Sequence, residues 1–227
     1  MGDHAVTVQF ADVMQERINK RVLQLAAQLH KTPMEGLLDV IPAYSSLTVI
    51  YDPLSIHLIA TDCISTYVTD WLNEFITRLP ETALEAPRKM IIPVCYHPSL
   101  GPDIEGMAAE KNMSLNALIA FHTSVTYRVY MTGFLPGFAY MGMVDDKIAT
   151  ARKATPRQFV AAGSVGIAGS QTGIYPLDSP GGWNIIGQTP VKVFDKEREQ
   201  PCLLKPGDEV VFEMISRNDF DKIKQQQ

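Results

Sequence analysis

Cysteine is scarce in this chain of 227 residues: Cys63, Cys95 and Cys202 are odd in number, far apart and never in a C-x-x-C pair. That spacing excludes a disulfide framework and a four-cysteine zinc site, and predicts reduced, mostly buried thiols in a cytoplasmic protein. No apolar run reaches about 18 residues, the length a membrane-spanning helix needs. The opening stretch MGDHAVTVQFADVMQ has no basic segment leading into an apolar one, so it does not read as a signal peptide. Basic excess is missing too. Twenty Lys and Arg stand against 25 Asp and Glu, a net charge of −5, and such a field is poorly suited to gripping a phosphate backbone. Neither nucleic acid nor membrane is an expected partner.

The common catalytic signatures are absent as well. There is no G-x-x-x-x-G-K-[ST], so no ordinary phosphate loop, and GSVGIAG does not match G-x-G-x-x-G. Its glycines are expected to let strands turn or pack closely. There is no H-E-x-x-H and no G-x-S-x-G. His4, His30, His57, His97 and His122 are scattered, and His122, on a helix, reads first as a structural residue.

What is present is ordinary globular composition, 46% hydrophobic and 20% charged, in a chain long enough for one large domain or two small ones. Residues 5–10 read as a strand. From Met14 to Lys31, Ile18, Val22, Leu25, Ala26 and Leu29 step by three and four, which predicts a helix that Thr32-Pro33 stops. Two β-rich runs at 37–43 and 46–51 read as a hairpin, Asp62 to Leu79 as a second amphipathic helix, and 88–96 as a strand. This βαββαβ order predicts a ferredoxin-like sheet with two helices on one face. The proline-bearing stretch 78–89 is the expected boundary, giving domains 1–85 and 86–227, with strand 88–96 leading into the second.

Beyond it, two short helices are expected at 103–111 and 114–123, the second capped by Ser114. Short runs split by Gly and Pro then predict a compact β-barrel or sandwich. The tail NDFDKIKQQQ is expected to fray. Between 132 and 190 the glycines concentrate, in TGFLPGFAYMG, ARKATPR and AAGSVGIAGSQTGIYPLDSPGGWNIIGQTP. Apolar walls with a few polar groups are how small-molecule pockets are built. Phe134, Pro136, Phe138 and Tyr140 supply wall or partner surface. Arg152 and Arg157 supply planar forks that fit a carboxylate, and Gln171, Tyr175 and Trp183 supply neutral polar groups and a ring.

These same strings, with the earlier DVIPAYSSLTVIYDP and CYHPSLGPDI, resemble the family of 5-oxoprolinase B subunits, which also includes the KipI kinase inhibitor and was formerly labelled allophanate hydrolase subunit 1. The resemblance runs over residues 3 to 215. It implies an α+β chain, with an N-terminal ferredoxin-like domain followed by a C-terminal cyclophilin-like β-barrel. It also implies partners: a cyclophilin-like C subunit and an A subunit, which work with the B subunit to cleave 5-oxoproline to L-glutamate using ATP. No motif on this chain binds a cofactor, so the isolated chain is expected to be inactive. In that reading Arg152 or Arg157 pairs with a carboxylate or phosphate, Gln171 and Tyr175 orient the amide, and Asp103 or His122 handles a proton. Two alternatives stay open: a KipI-like inhibitor of sensor histidine kinase autophosphorylation, and a component of a related small-amide or urea-type hydrolase. The chain departs from the family at His97-Pro98, where a Gly-Gly pair is common, and at Ala151, where a proline often restrains φ beside Arg152.

Overall fold

The computed structural model describes residues 4–56, 63–79 and 86–226. His57, the expected helix start at Asp62 and residues 80–85 of the boundary stretch lie outside them. The chain forms two compact units, Met1–Ala86 and Pro87–Gln227. Among the described residues no helix is long and apolar enough to cross a membrane.

The first unit carries β1 (Ala5–Gln9), α1 (Glu16–Lys31), β2 (Leu37–Pro42), β3 (Ser46–Tyr51) and α2 (Ile64–Thr77). β3 lies between β1 and β2 and runs antiparallel to both. Alternate residues of β3, Leu47, Val49 and Tyr51, are fully buried. They pack against Val22, Leu25 and Leu29 of α1 and Val68 and Leu72 of α2. Period 2 in the strand and period 3.6 in the helices thus meet on one face. On the other face Thr7 and Thr48, directly opposite, join their hydroxyls at 2.8 Å. Asn19, buried within α1, donates its side-chain amide to the carbonyls of Ala43 and Tyr44 at 3.2 and 3.3 Å, tying the helix to the β2–β3 turn.

The sixth predicted element does not complete this sheet. β4 (Lys89–Val94) pairs parallel with β12 (Glu209–Met214) in the second unit, from Lys89 opposite Glu209 to Val94 opposite Met214. Its apolar residues Ile92 and Val94 point into the second core, so among the described residues the first sheet has three strands.

The second unit continues with α3 (Ile104–Glu110), α4 (Leu115–Thr123), β5 (Thr126–Thr132), β6 (Ala139–Gly142), β7 (Arg157–Val160), β8 (Ser164–Ala168), β9 (Gln171–Ile174), β10 (Ser179–Gly181) and β11 (Asn184–Gln188), then β12 and α5 (Arg217–Gln225). Its main sheet has the order β11-β8-β9-β6-β5-β12-β4. The sheet curls until its edges meet, because Cys95, just past β4, exchanges both backbone hydrogen bonds with Gln188 of β11 at 2.9 and 3.0 Å. Closure of this kind leaves no open edge at that point. Val129, Met141, Val165, Ile167, Ile186, Val210 and Phe212 fill the interior, and Ile104, Met107, Leu118 and Ile119 from α3 and α4 pack against them. Ser114 caps α4 by accepting from the Ala117 N–H at 3.2 Å. The tail, expected to fray, is helical through Gln225. Ser216 accepts from the Asp219 N–H at 3.1 Å, α5 follows, and Phe220, at 1% exposure, anchors it.

Candidate functional site

TGFLPGFAYMG is a tight hairpin, its second half being strand β6. Leu135 N–H donates to the Gly133 carbonyl at 2.9 Å, Phe138 N–H to that of Leu135 at 3.0 Å, and Gly133 N–H to that of Phe138 at 3.2 Å. Gly137 turns the chain at φ 82°, and a Cβ there would stand 2.8 Å from the Cβ of Phe194. Phe134 also has positive φ, 69°, a costly setting for a bulky residue, and is 61% exposed. Pro136 is exposed at the tip. Along β6, Ala139 and Met141 face the interior, whereas Phe138 and Tyr140 belong to a second cluster on the outer face.

That outer cluster holds Phe138, Val160, Ala168, Tyr175, Trp183 and Ile185. Phe138 meets Trp183 edge-to-face at 5.4 Å between centroids and Tyr175 at 5.3 Å. Phe134 meets Phe138 in the same way at 5.7 Å, the arrangement that the ring quadrupoles favour. Two glycines make the room. Gly166 of β8 lies opposite Gly173 of β9, and a Cβ on Gly173 would sit 3.1 Å from Trp183 and 3.0 Å from Phe138. Close packing is therefore what Gly166 and Gly173 provide, whereas Gly169 turns the chain at φ 60° with open space around it.

Cations gather beside the rings. The stretch 151–153 is held on both sides: Asn184 donates to the Ala151 carbonyl at 2.8 Å, and Lys153 N–H donates to the Gly182 carbonyl at 2.8 Å. The exposed Arg152 carries its guanidinium 5.9 Å from the Trp183 ring. Arg157, at the start of β7, donates Nη2 to Asp103 Oδ1 at 2.5 Å, and Lys153 Nζ lies 2.7 Å from the same oxygen. Asp103 Oδ2 accepts from the Ile185 N–H at 2.7 Å. Burial opposes the charge on Asp103, but Arg157, Lys153 and the Ile185 N–H outweigh it and hold its carboxyl below the ordinary range. The Tyr175 hydroxyl is pushed up by burial. A hydrogen bond from the Trp183 backbone and the charges of Arg152 and Arg157 counter this only in part, so it stays neutral at neutral pH. Gln171 alternates with the inward-facing Thr172 and Ile174 and so shares the outer face with Tyr175.

The structure thus brings together Phe134, Phe138, Tyr140, Arg152, Arg157, Tyr175, Trp183 and Asp103, with Gln171 on the same face. Asp103, expected as a proton carrier, is engaged by two cations and a backbone N–H, the setting of a counter-ion. His122 is elsewhere. It lies inside the barrel at 0% exposure, with Nδ1 2.7 Å from the Tyr96 hydroxyl and Nε2 3.0 Å from the Thr172 hydroxyl, and it stacks on Phe212 at 4.7 Å. Burial pushes its pKa down to about 3. The sheet stands between His122 and the aromatic face. Lys153 is the residue that sequence reasoning misses. Its signal is the third positive charge within ARKATPR. No group of three or more His, Cys, Asp or Glu able to hold a metal occurs among the described residues.

The family description "Carboxyltransferase domain, subdomain C and D" matches residues 1–204. The chain is 40% identical to the 5-oxoprolinase B subunit of Bacillus subtilis over 100% of its own length and 95% of that protein. It is 38% identical to the 5-oxoprolinase B subunit of Escherichia coli O157:H7, covering 93% of each. Among solved structures it is similar to TTHA0988, with TM-score 0.81 and 39% identity over 93% of this chain, and it spans 40% of that longer chain. The urea carboxylase of Kluyveromyces lactis shares the fold at TM-score 0.78 and 17% identity, over 99% of this chain and 22% of that one. By the extent of these matches, the chain belongs to the carboxyltransferase domain, subdomain C and D family, in the company of the bacterial 5-oxoprolinase B subunits.

Proposed function

We propose that this chain is the B subunit of a cytoplasmic, ATP-dependent 5-oxoprolinase, which hydrolyses 5-oxo-L-proline to L-glutamate together with A and C subunits. The observation that carries the reading is 40% identity to a 5-oxoprolinase B subunit across the whole chain. The three-stranded split βαβ unit supports a ferredoxin-like first domain, and the curled sheet a cyclophilin-like second one. Their boundary falls near Ala86–Pro87.

5-Oxoproline is a small lactam bearing one carboxylate. Arg152, exposed and free of any carboxylate partner among the described residues, meets that carboxylate. The Tyr175 hydroxyl, kept neutral by burial, offers its proton to the lactam carbonyl. Gln171 orients the amide from the same face, and Phe138, Tyr140 and Trp183 exclude water. Asp103 positions Arg157 and Lys153. The glycine-rich run of β8 and β9 lies in antiparallel strands and opens no helix, so it offers no loop-to-helix phosphate cradle. The ATP step is assigned to a partner, and the isolated chain is inactive. Arg152→Ala in the reconstituted complex is expected to lower kcat/KM at least about tenfold, mainly through KM, since it removes a charge-assisted bond. Unchanged kinetics would remove the clamp from the mechanism.

A further inference from the structure

Arg157 uses one end of its fork on Asp103, and the other does nothing visible. Nη1 is buried and has no partner. Ser179, on the strand β10 that pairs with β7, is 9% exposed, and its Oγ is likewise buried without a partner. A buried donor left unmade costs about 1–3 kcal/mol. In the β7–β10 pairing Ser179 stands opposite Val160 and Gly181 opposite Arg157, so the two groups belong to one strand pair, where a ligand oxygen can satisfy them. Arg152 offers a second, separate cationic point at the Trp183 ring, and both guanidiniums lie within electrostatic reach of the Tyr175 hydroxyl. The local charge is unbalanced in the same direction. Arg152, Lys153 and Arg157 are three cations, and Asp103 is the one carboxylate paired with any of them among the described residues. This cationic spot stands out on a chain whose net charge is −5.

We infer that the site takes a small dicarboxylate in preference to a cyclic monoanion. One carboxylate meets Arg152, and the other meets Arg157 Nη1 and Ser179 Oγ. The inference rests on the function proposed above and extends it. Water opening the lactam C–N bond turns the amide into a second carboxylate and an ammonium group, so the net charge is unchanged and what the product gains for this site is a second carboxylate to match its second cationic point. The complex is therefore subject to competition by its own product and by other short dicarboxylates.

Calorimetric titration of the full chain at low ionic strength with glutarate, 5-oxoproline and the neutral lactam 2-pyrrolidinone tests this. Glutarate is expected to bind at least about tenfold more tightly than 5-oxoproline, the weight of one added charge-assisted contact, and 2-pyrrolidinone not measurably. Arg152→Gln is expected to weaken both anions, since each places a carboxylate there. Arg157→Ala would leave Asp103 short of a partner and risks the fold, so Ser179→Ala, which removes one oxygen, probes the second point and is expected to weaken glutarate more than 5-oxoproline. Equal affinities for the two anions, tighter binding of 5-oxoproline, or no binding of glutarate overturns the inference. Turnover by the reconstituted complex is read separately. Turnover without dicarboxylate preference sinks the inference and spares the function, and preference without turnover does the reverse.

Discussion

His122 is neutral in the folded chain at neutral pH. Burial pushes it down to about 3, against about 6.5 for a free imidazole. Between those values the unfolded chain binds one proton more than the folded one, so the stability held by the neutral ring is complete above about pH 6.5 and drains away as pH falls toward 3. The slope approaches about 1.4 kcal/mol per pH unit. Urea unfolding between pH 5 and 7, above the range where Asp103 titrates, is expected to show this slope in the wild type and not in His122→Gln. Equal slopes in the two would contradict the buried, uncharged assignment. At this scale the candidate site is half legible in the sequence. Arg152, Tyr175 and Trp183 follow from residue type alone. The pairing of Asp103 with Arg157 does not, because 54 residues separate them and nothing local records a contact across that distance. His122 sits on a helix whose apolar pattern does not say which layer its last turn faces.

Strands β6, β8 and β9 owe their close approach on the outer face to missing side chains. Gly173→Ala would place a methyl 3.0 Å from the Ala139 carbonyl oxygen and 3.1 Å from Trp183. Overpacking of this kind costs about 1–3 kcal/mol. Chemical denaturation is expected to report a loss in that range, and a change below about 0.5 kcal/mol would show that the cluster yields. Helices α1 and α2 and the β2–β3 hairpin are legible because a 3.6 or 2.0 period directly encodes a buried face. The partner of β4 is not. KMIIPV says that one face of the strand is covered, and both a fourth strand of the first sheet and the closing strand of the second satisfy that. The tail misleads for a related reason: NDFDKIKQQQ is polar nearly throughout, and a single buried Phe220 with a Ser216 cap is enough to dock α5.

At the scale of the whole molecule, the chain combines a small split βαβ unit with a curled barrel whose outer face carries rings, three cations and one carboxylate. In that set the one histidine buried among the described residues is sealed in the interior, and Asp103 is held ionised between two cations. A binding and orienting role within a larger assembly is what these residues can perform, and it agrees with similarity to proteins named as subunits. The direct measurement is to mix the purified chain with its candidate A and C partners, ATP and 5-oxoproline and to follow glutamate release. The complete mixture is expected to release glutamate, and omitting this chain, or supplying it alone, is expected to abolish release. Undiminished release without the chain, or robust release by the chain alone, would contradict the account.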